Sequence, residues 1–205
     1  MTATGLVQGA SISGLSALSG ATVAVCIDDC TGSNNLATET TNGSGEFTAG
    51  PFTTNGTAIP AYLTVTDAND ETTLAYPGEP MATDTAFRAI MFPTTLVSEL
   101  GLLGSAGCTQ DTTNNGIFGV LVEDCNNQLI TSSATISVTQ NGTTVGDPPI
   151  SAGALGAAYA GLYLVCNVPP GTTEVNAMYG GDTFLSRTVL SVKGEATETA
   201  VRPGY

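Results

Sequence analysis

An all-β fold, two β-sandwiches in tandem joined by a short helix, follows from three observations. The first is Gly161-Leu-Tyr-Leu-Val-Cys-Asn-Val-Pro-Pro-Gly171, which runs at once into Thr172-Thr-Glu-Val-Asn-Ala-Met178. β-Branched and aromatic residues fill the first run, two prolines and a glycine stop it, and period-two alternation resumes after them. Pro169 and Pro170 lack the N–H of a sheet ladder and Gly171 accepts a positive φ, so this is a strand, a corner and a second strand that must pair elsewhere. The second observation is that similar runs, bounded by Gly, Asn, Asp and Pro, recur along the chain. The third is length: 205 residues is long for one small sandwich and comfortable for two, each able to bury a core.

Taken in order, Gly5-Leu-Val-Gln-Gly-Ala-Ser-Ile12 reads as the first strand and Ala21-Thr-Val-Ala-Val-Cys-Ile27 as the second, with Val23, Val25 and Ile27 on its core face. Leu36–Thr41 and Glu46–Phe52 flank Asn42-Gly-Ser-Gly45, whose Asn-Gly step predicts a hairpin. Ala61–Thr66 alternates, Asp67–Asp70 turns it, Glu71–Tyr76 returns, and the last strand of this half falls within Thr85–Phe92. Between Pro93 and Gly104 the period changes. Leu96, Leu100 and Leu103 share one helical face, Thr94 or Thr95 caps the start and Gly104 stops it, which predicts a short linking helix. After a polar connection, Ser105–Asn115, strands resume with Gly116–Cys125, Ala134–Gln140, the organising pair around Pro169, and Thr183–Val192. The expected division is therefore residues 1–92, a linker 93–115, and residues 116–205.

The halves also repeat in order: a glycine-led strand (Gly5 or Gly116), an Ala-Thr strand (Ala21 or Ala134), a glycine-aromatic strand (Gly45-Glu-Phe47 or Gly161-Leu-Tyr163) and an alternating strand (Leu63–Val65 or Glu174–Ala177). Gly116-Ile-Phe-Gly-Val-Leu-Val-Glu-Asp124, Ala134-Thr-Ile-Ser-Val138 and Gly161-Leu-Tyr163 with Asn167-Val-Pro-Pro-Gly171 carry a resemblance to the carboxypeptidase regulatory-like, transthyretin-like β-sandwiches, relatives of the B-type repeats of Gram-positive surface adhesins. In the first half Thr40-Thr-Asn-Gly-Ser-Gly-Glu-Phe47 is similar to the family's turn before its aromatic strand, although no Pro-Pro-Gly follows. The resemblance implies immunoglobulin-like or transthyretin-like domains on a secreted or surface protein, and non-catalytic ones. Many adhesin repeats carry a lysine isopeptide bond, and this chain departs from that pattern. Its only lysine, Lys193, lies late, and a solvated side chain near Gly194 is expected.

Composition narrows function mainly by exclusion. A net charge of −14 with four basic residues, Arg88, Arg187, Lys193 and Arg202, opposes a nucleic-acid partner. No apolar run approaches the ~20 residues of a membrane-spanning helix. Met1-Thr-Ala-Thr-Gly has neither a basic nor an apolar leader segment, so the expectation is that Met1 stands in for a removed one. With no histidine in the chain, imidazole-activated nucleophiles and His-ligated zinc are out of reach, and adjacent carboxylates such as Asp28 with Asp29 point to opposite faces. Charged residues are only 11% of the chain, with Thr, Ser, Gly and Asn in their place, which favours a secreted protein. Five cysteines agree. Cys26 and Cys30 are close enough to bridge across a turn. Of Cys108, Cys125 and Cys166, two can pair and one is left over, with Cys108 and Cys166 the favoured pair.

No cofactor is implied, except that Asp67, Asn69 and Asp70 offer a calcium ion oxygen ligands within one turn; an Asx-turn accounts for the same residues. Asn42, Asn55 and Asn141 each open an Asn-Gly-Ser/Thr glycosylation pattern that also reads as a plain turn. The sequence thus predicts a non-catalytic extracellular or cell-surface protein with a structural or adhesive role, self-associating or packing on other surface proteins, as in a surface layer or filament. The alternative is an accessory module that binds a glycan, a calcium ion or a partner protein.

Overall fold

The computed structural model describes residues 1–11, 13–53, 56–100, 108–126 and 128–204. Along the chain run β1 (Ala3–Ser11), β2 (Gly14–Ala17), β3 (Thr22–Cys26), β4 (Asn35–Thr40), β5 (Glu46–Ala49), β6 (Tyr62–Thr66), β7 (Thr73–Tyr76), β8 (Thr85–Met91), α1 (Thr94–Glu99), β9 (Gly116–Val122), β10 (Thr135–Gln140), β11 (Thr143–Thr144), β12 (Ile150–Ser151), β13 (Leu162–Val168), β14 (Gly171–Tyr179), β15 (Asp182–Thr183), β16 (Arg187–Ser191) and β17 (Ala196–Val201). Among the described residues α1 is the only α-helix, so the chain is all-β in class.

Three sheets form. A middle sheet of eight strands has the order β12-β13-β9-β17-β7-β6-β3-β4. On one face lies a four-stranded sheet in which β2 and β5 pair antiparallel with β1 while β8 pairs parallel with it. A five-stranded sheet, β11-β10-β14 with β15 and β16 also on β14, covers the other face. Strand alternation sets these layers, because successive side chains leave opposite faces. Val7, Phe47, Phe87 and Ala89 meet Val23, Val25, Leu63 and Val65 in one core. Phe118, Val120, Tyr163 and Val165 meet Ile136, Val138, Val175 and Val189 in another. A third core joins the halves: Ala10, Ile90 and Phe92 with Leu96, Val97 and Leu100 lie on Ile117, Leu121, Leu162 and Leu164. The repeat seen in the sequence is a repeat of pairing. β1 with β5 and β8 matches β9 with β13 and β17, and β3 with β6 matches β10 with β14.

The corner at Pro169-Pro170-Gly171 carries the chain from the middle sheet into the five-stranded one, with Gly171 at φ 141°. At Asn42-Gly-Ser-Gly45 the expected hairpin does not form. β4 and β5 lie in different sheets, so the turn is a second corner. Its positive φ falls on Gly45, at 76°, where any Cβ would sit 2.5 Å from the Val7 carbonyl oxygen. Asn141-Gly142, with φ of 50° and 76°, does form an Asn-Gly hairpin, which closes β10 onto β11.

The division at residue 92 does not interrupt the architecture. β17, a strand that the alternation argument passes over, lies parallel between β7 of the first half and β9 of the second, so one ladder runs through both halves. α1 starts on Pro93 without a side-chain cap and is held by Leu96, Val97 and Leu100 instead. The expected continuation through Leu103 to Gly104, like Ile12 at the end of the first strand, lies outside the described residues.

Candidate functional site

Two disulfides are present. Cys26–Cys30 closes the loop after β3, and Cys108–Cys166 ties the segment before β9 to β13 across 58 residues, with Cα atoms 4.8 Å and 6.3 Å apart. Cys125 is free and exposed. Beside the short bridge, Asp29 accepts hydrogen bonds from the Asn34 amide and from the Thr31 backbone N–H and hydroxyl, which hold its carboxyl down at about 2. Tyr62 stacks on Tyr76 with ring centroids 4.9 Å apart, and its hydroxyl donates to the Asp28 carbonyl at 2.9 Å. Beside the long bridge, Asn167 sits at φ 57° in a break of the β13 register.

The expected calcium ligands form an Asx turn. Asp67 Oδ1 accepts the Asn69 N–H at 3.0 Å, and Asp70 has its carboxyl raised by burial and by Asp67. Asp67 thus spends one oxygen on the backbone of its own turn. Among the described residues no three carboxyl, thiol or imidazole groups gather as a metal site. Asn42 uses its side-chain oxygen on the N–H groups of Ser44 and Glu46, the turn role foreseen for it. Asn55 lies outside the described residues.

Thr73, Thr197, Glu198 and Thr199 make the seam between the halves a buried polar region, and sequence reasoning did not find it. β8 pairs with β1 along one edge; on the other edge the Ile90 N–H donates to Glu198 Oε2 of β17 at 2.8 Å. β16 pairs with β14 along one edge; on the other, the Leu190 N–H donates to Tyr76 Oη of β7 at 3.3 Å and the Leu190 carbonyl accepts from Thr197 Oγ1 at 2.8 Å. Each of these two edges is therefore met by side chains of β17 or β7, which satisfies backbone groups that burial would otherwise orphan. Glu198 is 2% exposed. Burial pushes its carboxyl up to about 8, against smaller downward effects from the Ile90 N–H and Arg88. Gly119 stands opposite it in the ladder, where a Cβ would come within 3.3 Å of Glu198 Cγ. At the mouth, Arg202 Nε bonds Glu123 Oε2 at 2.8 Å and Nη1 bonds Glu79 Oε1 at 3.3 Å, while Arg187 Nη2 donates to the Pro77 carbonyl at 2.9 Å. The one sequence signal for this region was a single Glu in a Thr-Glu-Thr run between Ala196 and Val201, where period two places it on the face of Ala196 and Ala200.

No family model matches the chain, and a search of curated proteins gives no match. Solved structures with some likeness include a minor pilin of Streptococcus agalactiae, at 9% identity over 100% of this chain and 96% of that one, with a TM-score of 0.33. A shaft pilin from Lactobacillus rhamnosus GG matches at 11% identity, over 100% and 98%, with a TM-score of 0.26. A single B repeat unit of the collagen-binding surface protein of Staphylococcus aureus matches at 10% identity, over 100% and 97%, with a TM-score of 0.31. These are loose likenesses between β-rich chains, and nothing below rests on them.

Proposed function

We propose that this is a non-catalytic extracellular protein with a structural or adhesive role, a subunit that associates with copies of itself in a surface layer or filament. The observation that carries this reading is the β17 ladder. Two sandwiches that a flexible linker alone could have joined are instead fused through parallel pairing on both sides of one strand, so a pull on one half passes through backbone hydrogen bonds into the other. The disulfides at Cys26–Cys30 and Cys108–Cys166 add covalent ties and suit an oxidising compartment. Interaction area comes from strand edges. β4 ends the middle sheet with Asn35 and Glu39–Thr40 exposed, which suits strand-to-strand contact. Sedimentation velocity and negative-stain electron microscopy over a wide concentration range test the reading. Ordered oligomers or fibres are expected, and a strict monomer at the highest concentration overturns it.

A further inference from the structure

We propose that the cleft at the seam between the two halves binds a small carboxylate. Three buried side-chain polar atoms lack a hydrogen-bond partner among the described residues: Arg187 Nε, Glu198 Oε1 and Thr199 Oγ1. Buried polar atoms without partners are rare enough that each needs an explanation. Thr199 leaves the opposite face of β17 from Glu198 and Arg187 projects from β16, so Glu198 Oε1 is the one whose side chain lies on the face towards β8 and the cleft. Glu198 and Thr199 line a cleft of about 210 Å³ together with Arg88, Arg202 and Glu123. Arg187 reaches the same wall by its bond to the carbonyl of Pro77, another lining residue. Arg88 and Arg202, two of the four basic residues in a chain of net charge −14, therefore line this cleft.

Glu198 Oε1 and the two guanidinium groups define what fits. Glu198 keeps its proton at neutral pH, and because Oε2 accepts the Ile90 N–H, the proton sits on Oε1. Oε1 is then a donor without an acceptor. Among the lining side chains the guanidinium groups of Arg88 and Arg202 outnumber the carboxylate of Glu123 by one charge while Glu198 is neutral. An acceptor-rich monoanion answers both needs. A divalent cation meets two guanidinium groups, a dianion such as sulfate meets Glu123 and, at the mouth, Glu79, and water supplies hydrogen bonds but no charge. Phe87 and Leu121 on the walls leave room for a short hydrocarbon chain behind the carboxylate. The groups facing Glu198 are Arg88 and the Ile90 N–H from β8, Gly119 from β9, Ala75 from β7, and Glu123 with Arg202 at the mouth. When Glu198 ionises, its Oε1 turns from donor to acceptor and cancels the excess charge, so the site empties as pH rises.

This site is independent of the assembly proposed above. The test is an NMR titration of isotope-labelled protein with sodium propionate at fixed ionic strength, with sodium chloride and sodium sulfate as controls, following the amides of Ile90, Gly119 and Glu198. Saturable shifts are expected with propionate alone, and on the order of tenfold weaker binding at pH ~9.5 than at pH ~6. Glu198→Gln, whose amide donates at every pH, is expected to bind equally at both. Arg88→Ala removes an exposed side chain; it is expected to keep the wild-type melting temperature and to bind roughly fivefold or more weakly. Shifts no larger than those of chloride, equal response to sulfate, or unchanged affinity in Arg88→Ala each overturn the proposal and leave a cleft that holds water only.

Discussion

Asn167 holds a left-handed backbone inside a strand and uses its backbone N–H and both polar atoms of its side chain. Its N–H donates to Gln110 Oε1 at 2.9 Å, its amide nitrogen to the Thr109 carbonyl at 2.8 Å and to Asp147 Oδ2 at 2.7 Å, and its side-chain oxygen accepts the Asp111 N–H at 2.8 Å. It thereby fastens the segment before β9 beside the Cys108–Cys166 bridge. Asn167→Ala loses those side-chain bonds and keeps the positive φ of 57°; a loss of about 2–4 kcal/mol is expected in chemical denaturation. Asn167→Gly, which takes that φ without strain, is expected to lose about 1 kcal/mol less. Glu198 makes the second residue-scale prediction. Its folded carboxyl titrates near 8 against an ordinary value of 4.5, so between those values the folded protein keeps a proton that the unfolded chain releases. Stability contributed by the neutral acid is whole below the lower value, falls as pH rises through the window, and is level above it. Glu71 and Glu195, also raised by burial, act in the same direction, whereas Asp29, held at about 2, costs stability only in strong acid. Melting temperature is expected to fall from pH ~5 to pH ~8 in the wild type, with a clearly shallower slope in Glu198→Gln. An equal slope in both would assign the pH dependence elsewhere. Neither residue was legible beforehand. Asn167 reads as one more turn former beside two prolines, and a Glu between two threonines reads as solvent-facing until the strand it lies on is seen to be covered on both faces.

At the scale of elements, the strand-corner-strand around Pro169 was legible because proline and glycine act locally, and what they forbid does not depend on the rest of the fold. Turns between sheets were not. Asn42-Gly43 and Asn141-Gly142 share a dipeptide, yet only the second is a hairpin, because Gly45 is pressed against the Val7 carbonyl and β5 is drawn onto β1. β17 was missed for a related reason: Thr197, Glu198 and Thr199 are all buried, so polar-versus-apolar alternation carries no signal there. Its place predicts its fragility. Every residue of β17 serves a ladder on one side or the other, so Thr197→Pro is expected to abolish the β-sheet circular dichroism of the purified protein or to prevent its recovery in folded form. The covalent elements rank by loop length. In the chain-entropy description, replacing Cys108 and Cys166 by Ala is expected to cost about 4 kcal/mol, and replacing Cys26 and Cys30 about 2 kcal/mol, because the loops span 58 and 4 positions. Denaturant midpoints of the two double variants check the order, and a reversal would mean that native-state contacts, not chain entropy, govern it.

For the whole molecule, the question is whether the two repeats unfold as two domains or one. Sequence pattern favours two, since each half carries its own set of matching strands and a polar linker lies between them. The structure places three couplings across that boundary: the parallel β7–β17 ladder, the core in which Ile90, Phe92, Leu96 and Leu100 pack on Ile117, Leu121 and Leu162, and the side-chain caps from Glu198 and Tyr76. Removing the second half would bare that apolar core and leave the β7 edge unpaired, and both defects draw on the ~5–15 kcal/mol by which a domain is stable. Unfolding of either half alone is therefore strongly penalised. Calorimetry is expected to show a single transition whose van't Hoff and calorimetric enthalpies agree, with an enthalpy on the order of 140 kcal/mol near 60 °C for a chain of this size. Leu121→Ala and Ile90→Ala, on opposite sides of the seam, are expected to lower that one transition without splitting it. Two resolved transitions in the wild type, each with about half the enthalpy, would show that the halves behave as beads on a string and that the shared ladder is too weak to carry force between them.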